Sequence, residues 1–319
     1  ETMPTTFSAV LGQANAKVSV SSVGAVYLHP SGACVYALNQ TASPAINTVG
    51  STTVTTGCGI WDNSNAGNAL QVNGSGTITA TGGATVKIVG NVDTSGGGTV
   101  SPAPLTGQPI TSDPFASIPF PSSQPHACDS TGLSGGIPKN GAGSITMGAD
   151  GWYVVCGPIR LTGNQHQYFP AGKYYITNGA GGNAGITWNN GNVDMVNSTD
   201  NVIFFLTASP TSSYDGVQIS GNVDVNLTAP ATGLYRGLLF YQDRRLTSAP
   251  SSQFTGGSGQ NLNGTIYFPT SNVQWTGNSS TAIAGLVADT ISFKGTSSFS
   301  ADTNGSHTGL GVPNIAWVF

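Results

Sequence analysis

Gly191-Asn-Val-Asp-Met-Val196 returns thirty residues later as Gly221-Asn-Val-Asp-Val-Asn-Leu227, and its first four residues already stand at Gly90-Asn-Val-Asp93. In each copy two turn-forming residues lead into an alternation of apolar and polar side chains. A period of two sends one file of side chains inward and the other outward, which is the signature of a half-buried strand. Looser relatives occur at Ser51-Thr-Thr-Val54, Gly76-Thr-Ile-Thr79, Gly83-Ala-Thr-Val86, Gly143-Ser-Ile-Thr146, Asn272-Val-Gln-Trp275 and Gly295-Thr-Ser-Ser-Phe299. Helical periodicity is almost absent, and only a short piece around Phe7–Leu11 suits a helix. The chain therefore reads as all-β.

Short strands that recur with Gly/Asn turns, at a spacing of roughly 20–30 residues, are the pattern of a solenoid. A parallel β-helix is the expected form. Successive coils then stack Asn and Thr side chains into ladders, and glycine supplies the corners. An antiparallel sandwich also uses short alternating strands and is the competing architecture.

The four cysteines favour the solenoid. Cys34 and Cys58 are 24 residues apart, Cys128 and Cys156 are 28 apart, and each separation matches one coil. Neighbouring rungs lie about 4.8 Å apart, within the Cα separation a disulfide accepts. The expected pairs are Cys34–Cys58 and Cys128–Cys156, in an oxidising compartment. A zinc site is disfavoured because no Cys-x-x-Cys occurs and the four histidines are scattered.

Between Ser101 and Pro125 the texture changes, with prolines at 102, 104, 109, 114, 119, 121 and 125. No central strand survives such a run. Phe115, Ile118 and Phe120 are apolar anchors that can pin this excursion to the strands. The expected organisation is an N-terminal β segment over residues 1–100, a Pro-rich linker or surface excursion over 101–125, and the main solenoid over 126–319.

Composition excludes whole classes of function. Only 7% of the 319 residues are charged, with 9 Lys+Arg against 13 Asp+Glu, and this offers no basic surface to track a phosphate backbone. The 38% hydrophobic content, rich in β-branched residues, argues against disorder despite 45 glycines. The longest apolar runs, Asn201-Val-Ile-Phe-Phe-Leu206 and Gly237-Leu-Leu-Phe-Tyr241, are far too short for a membrane helix. The chain opens at Glu1-Thr-Met-Pro without a signal-peptide pattern, so the expectation is that any export signal has been removed.

Several motifs together resemble one family. Gly32-Ala-Cys-Val-Tyr-Ala-Leu-Asn39, then Cys58-Gly-Ile-Trp-Asp-Asn-Ser64 and Ala69-Leu-Gln-Val-Asn-Gly-Ser75, resemble the Cys-containing segment of TadG-like proteins of the tight-adherence (Flp) pilus assembly system. The run from Thr228 through Tyr241-Gln-Asp-Arg244, then Leu262-Asn-Gly-Thr-Ile-Tyr-Phe-Pro269 and Leu286-Val-Ala-Asp-Thr-Ile291, resembles that family's C-terminal half in the same order. Met3-Pro-Thr-Thr-Phe7 with Val18-Ser-Val-Ser21 resembles the stretch before its first cysteine. The resemblance implies an extracellular or cell-surface role with pilus components as partners. It differs from that family in one respect, since family members usually carry an N-terminal membrane helix.

Candidate sites are few. Tyr241, Gln242, Asp243 and Arg244 form the family motif or a ligand site, with an Asp243–Arg244 ion pair as the plainer expectation. Asp194 and Asp224 fall at equivalent places in two repeats and are expected to stack on one face as turn residues. Asp62-Asn-Ser-Asn65 resembles the start of a calcium loop but lacks the later bidentate acid, so it reads as a turn. No metal, cofactor or catalytic residue is assigned. Of the five tryptophans, at 61, 152, 188, 275 and 317, each reads as core, with a sugar-binding stripe as the alternative. The expected function is a non-enzymatic structural or adhesive surface protein. The alternatives are a filament subunit that exchanges strands at its termini, through Val18–Val26 or through Ile315, Trp317, Val318 and Phe319, and a polysaccharide-degrading β-helix enzyme. Expected partners are copies of itself, pilus components or surface glycans.

Overall fold

A computed structural model describes residues 2–3, 16–17, 26–30, 33–139, 145–179, 182–208, 214–246, 249–255, 260–277, 280–301 and 311–315. The chain divides into two compact units. In the smaller one, Glu1–His29 with Val312–Phe319, Thr2–Met3 pairs antiparallel with Ala16–Lys17. The strand Val26–Pro30 is hydrogen-bonded to Gly311–Ile315. The piece expected to be helical, Phe7–Leu11, and Trp317, Val318 and Phe319 lie outside the described residues.

The larger unit, Pro30–Gly311, is all strand, turn and loop among its described residues, and its 22-stranded sheet pairs only in parallel. The antiparallel sandwich is thereby excluded for this unit. The strands fall into three series, and the chain visits them in turn. The first series runs through Trp152–Cys156, Gly172–Thr177, Val202–Leu206 and Leu238–Gln242, then the middles of Gln260–Gly277 and Ser280–Gly295. It continues through Ala33–Ala37, Gly59–Asp62 and Val86–Ile88. The second series passes through Pro158–Leu161 and ends at Ile46–Gly50, Leu70–Val72 and Val92–Asp93. The third passes through His166–Phe169 and ends at Thr53–Thr56, Thr77–Ala80 and Thr99–Ser101.

Spatial order and chain order differ. The last passes of the chain, within Ser280–Gly295 and Ser298–Ala301, pair with the first, Ala33–Ala37, Ile46–Gly50 and Thr53–Thr56. Three N-terminal passes thus extend the sheet beyond its C-terminal edge. The Pro-rich segment makes the return. It forms no strand between Ser101 and Leu133, yet touches the passes in reverse order. Leu105 bonds Val86, Asn63 bonds Thr111 in both directions, Phe115 packs on Tyr267, Phe120 packs on Tyr241, Phe205 and Tyr175, and the Asp129 amide reaches Val154. Because this strap and the excursion's two neighbours belong to one packed body, the compact units divide near residues 30 and 311, not near 100 and 125.

The strap explains the apolar runs. Val202–Leu206 and Leu238–Gln242 are buried at every position, because one face packs inward and Phe120, Ile118 and Phe115 cover the other. The inner file stacks aromatic rings along the series, with Phe204 over Phe240 at 5.4 Å and 22°. Such pairs each add about 0.5–1.5 kcal/mol beyond their buried area. Trp188 and Trp275 are also fully buried, whereas Trp61 and Trp152 are half-buried beneath the ammonium groups of Lys87 and Lys173.

Both expected disulfides are present, Cys34–Cys58 and Cys128–Cys156, each with Cα atoms 5.6 Å apart. Each ties one strand of the first series to the segment beside it. The repeat motif also has a reason. A Cβ at Gly90 would stand 2.2 Å from the Ala66 carbonyl oxygen, at Gly191 2.3 Å from that of Gln165, and at Gly221 2.4 Å from that of Asn189. At each copy the backbone of the previous pass occupies the space a side chain needs.

Candidate functional site

The motif Tyr241-Gln-Asp-Arg244 closes a strand of the first series, and its side chains divide between core and strap. Gln242 is fully buried, donating from Nε2 to Ser271 Oγ and accepting from the Thr270 hydroxyl. Tyr241 donates its hydroxyl to the Ile118 carbonyl at 2.5 Å, and burial pushes its phenol up to about 12. Arg244 spreads over the strap. Nη1 donates to the Ala116 carbonyl at 2.8 Å, and Nη2 donates to the Phe115 carbonyl and to Tyr267 Oη, also at 2.8 Å. Tyr267 in turn donates to Asp113 Oδ2 at 2.6 Å.

The expected Asp243–Arg244 ion pair is therefore corrected. Asp243 pairs with Arg245 at 2.7 Å, and Arg244 comes no closer than 3.9 Å to a carboxylate, that of Asp113. Arg244 is drawn away because two strap carbonyls and a phenol offer a fixed set of acceptors matching its planar fork. Burial raises the cost of ionising Asp243, but hydrogen bonds from Arg245 and Thr207 outweigh it and hold the carboxyl below its ordinary value. Arg245 also reaches the strap at the Pro121 and Ser122 carbonyls. A carboxylate so engaged is poorly placed for acid–base work on a sugar. Tyr241 and Arg244 of the motif, with Arg245 and Tyr267, form a clamp for the strap, while Gln242 and Asp243 are engaged by neighbouring strands and by Arg245.

Asp194 and Asp224 do not stack. The repeats are offset by two residues when paired, so Asp194 lies beside Asn226 and Asp224 beside Asn192. Both still face outward in the third series, where two files of mainly polar side chains run in register. One file contains His166, Asn192 and Asp224, then Ser298, Thr53, Thr77 and Thr99. The other contains Tyr168, Asp194, Asn226 and Asn261, is interrupted by Ala282, and continues as Ser300, Thr55, Thr79 and Ser101. His166 Nε2 meets Asp194 Oδ2 at 2.5 Å and stacks on Tyr168, and Asn261 donates to Asn226 at 2.8 Å. The other residues of these files are exposed or half-exposed.

Two further polar sites stand out. Asp62 is wholly buried on the inward side of its strand, as Ile60 is, and burial raises its carboxyl to about 7 despite the hydrogen bond from the Ser64 amide. The calcium-like Asp62-Asn-Ser-Asn65 is thus a turn whose first carboxylate points into the core. Beside the second disulfide, His126 bridges two acids, Nδ1 to Asp150 at 2.8 Å and Nε2 to Asp129 at 2.9 Å, and these bonds raise its pKa. Among the described residues no group of three or more His, Cys, Asp or Glu is arranged to hold a metal ion. No described helix is long and apolar enough to cross a membrane.

Sequence reasoning missed Asp113, Tyr267 and the buried state of Asp62. A signal for the first two existed, since Tyr241 and Tyr267 follow the same apolar pattern on successive strands and invite a shared partner on the proline-rich segment. No protein-family model, curated protein or solved structure matches this chain.

Proposed function

We propose that the larger unit is a parallel β-solenoid acting as a non-enzymatic structural or adhesive element at a cell surface. The observation that carries this is the pair of outward files in the third series. They hold mainly polar side chains in register over successive passes, about 4.8 Å apart along the sheet and about 7 Å apart along the strand. A rigid, repetitive surface of this kind suits contact with a repetitive partner such as a surface glycan, because many weak polar contacts act together. Parallel pairing throughout and return of the chain to the same three series support the solenoid form. Two disulfides suit an extracellular, oxidising location. The resemblance of its motif series to TadG-like proteins is the ground for naming pilus components as partners.

The test is direct. Immunogold electron microscopy of producing cells is expected to place the protein on the envelope or its appendages, and purified protein is expected to bind immobilised surface glycans. Asp194→Ala with Asp224→Ala should weaken that binding. Dispersed labelling away from cells, together with no binding to glycans or isolated pili, would reject the proposal.

A further inference from the structure

The junction between the last and first passes has the character of a docking interface inside one chain. Its two sides are about 250 residues apart in sequence, as in the bond from Asn39 Nδ2 to the Asp289 carboxylate. They join by a backbone ladder: Leu38 N–H to Ala288 O at 2.8 Å, Ser51 N–H to Gly295 O at 2.9 Å, Thr53 N–H to Ser297 O at 3.0 Å, and Gly57 N–H to Ala301 O at 2.9 Å. Separated, each side would expose a parallel edge with unpaired amides and carbonyls, and such an edge recruits another strand.

The N-terminal side is a coherent block. Residues 33–101 make three passes that pair with one another in all three series, and Cys34–Cys58 links the first two. On the carboxyl side of this block the only covalent link to the rest of the sheet is the strap. Residues 102–125 could extend to roughly 80 Å, about twice the distance of some 40 Å covered by nine rungs. The strap therefore has slack, and what holds it along the sheet is the clamp of Arg244, Arg245, Tyr241 and Tyr267.

We propose that this junction is exchangeable between copies: residues 33–101 of one copy dock on the edge formed by residues 285–301 of a second copy, with the strap as the hinge. The occupant is a second copy because every copy carries both halves of an interface already complementary in register and packing. Reciprocal exchange closes a dimer, and exchange that passes to a new copy each time extends a chain. The clamp sets the balance, since loosening the strap removes what favours the closed arrangement. The exchange stands independently of any adhesive role. It also moves the filament alternative from the chain termini to an internal edge.

Two tagged full-length proteins test it, one carrying Asn47→Cys and the other Ser292→Cys, residues that face each other across the junction. Neither can bridge its own junction, so a covalent heterodimer on oxidation reports exchange. The expected result is a heterodimer yield several-fold above a control pair with cysteines at exposed Ser75 and Thr199, rising further when both proteins also carry Arg244→Met. A yield equal to the control in both backgrounds overturns the proposal. Where Arg244→Met fails to fold, a single chain with both Asn47→Cys and Ser292→Cys decides. Its locked junction should abolish concentration-dependent oligomers seen by light scattering in the unlocked protein, and oligomers that persist, or an unlocked protein monomeric at every concentration, overturn it.

Discussion

Asp62 makes stability depend on pH in a sense opposite to that of most carboxylates. Its side chain is fully buried on the inward side of Gly59–Asp62, one oxygen accepts the Ser64 amide at 2.9 Å, and the other has no side-chain or backbone partner among the described residues. Burial opposes the charge and lifts the carboxyl from 3.8 to about 7. An acid whose folded pKa is raised stabilises the native state while protonated, and the contribution is lost as pH climbs from 3.8 through about 7. The interval corresponds to about 4 kcal/mol, a large share of the stability of an ordinary domain. Asp62→Asn copies the neutral form and cannot ionise. Urea denaturation of wild type and variant, disulfides intact, should give a stability difference that moves in the variant's favour by about 4 kcal/mol between pH 4 and pH 8. Every other titrating group is common to both proteins and cancels in the difference. Stability curves that run parallel across that range would refute the argument, because they would mean the carboxyl finds solvent or a partner when charged.

Three other outcomes follow from the same structure. Arg244→Met removes three charge-assisted hydrogen bonds to the strap and its neighbour and should cost about 3–5 kcal/mol; limited proteolysis should then cut within residues 102–125, and an unchanged digestion pattern contradicts the clamp. His126 has a raised pKa from its bonds to Asp150 and Asp129, so its stabilisation is complete below the ordinary value of 6.5 and fades as pH rises through the higher folded value. Amide exchange around residues 126–139 should accelerate beyond its general base-catalysed rise as pH passes the folded value in wild type, and show no such excess in His126→Gln. Gly221→Ala places a methyl group against the Asn189 carbonyl at a φ of 68° and should lower stability by about 2 kcal/mol or more, read as a reduced thermal midpoint.

Much of the fold was legible because period-two alternation and glycine placement are local, and strands pair where most of those patterns lie, though Ile145 and Thr146 of Gly143-Ser-Ile-Thr146 form none. The cysteine spacing worked for the same reason, since the length of one pass of the chain fixes which cysteines can meet. What sequence could not supply was order in space. Nothing local in Ala33–Ala37 says that its partner is Leu286–Ala288 and not another nearby strand, and the proline run gave an excursion without a destination. The candidate site shows the same division. Tyr241-Gln-Asp-Arg244 was conspicuous, but its partner was misassigned because Arg244 bonds mostly to backbone carbonyls, which carry no residue identity. The two aspartates of the repeat were expected at turns, but both lie within strands, facing outward, and a register offset of two places them diagonally.

The junction of the last passes with the first also sets a timetable. As the chain is synthesised, residues 33–101 emerge well before the edge they lie against, residues 285–301. The block 33–101 must wait with an open parallel edge until residues 285–301 have been delivered, while the passes between them can stack as they arrive. A protein so ordered is most exposed to wrong partners during its own production. Its yield should respond to chaperones that cover strand edges, and to translation speed, more strongly than its finished stability suggests.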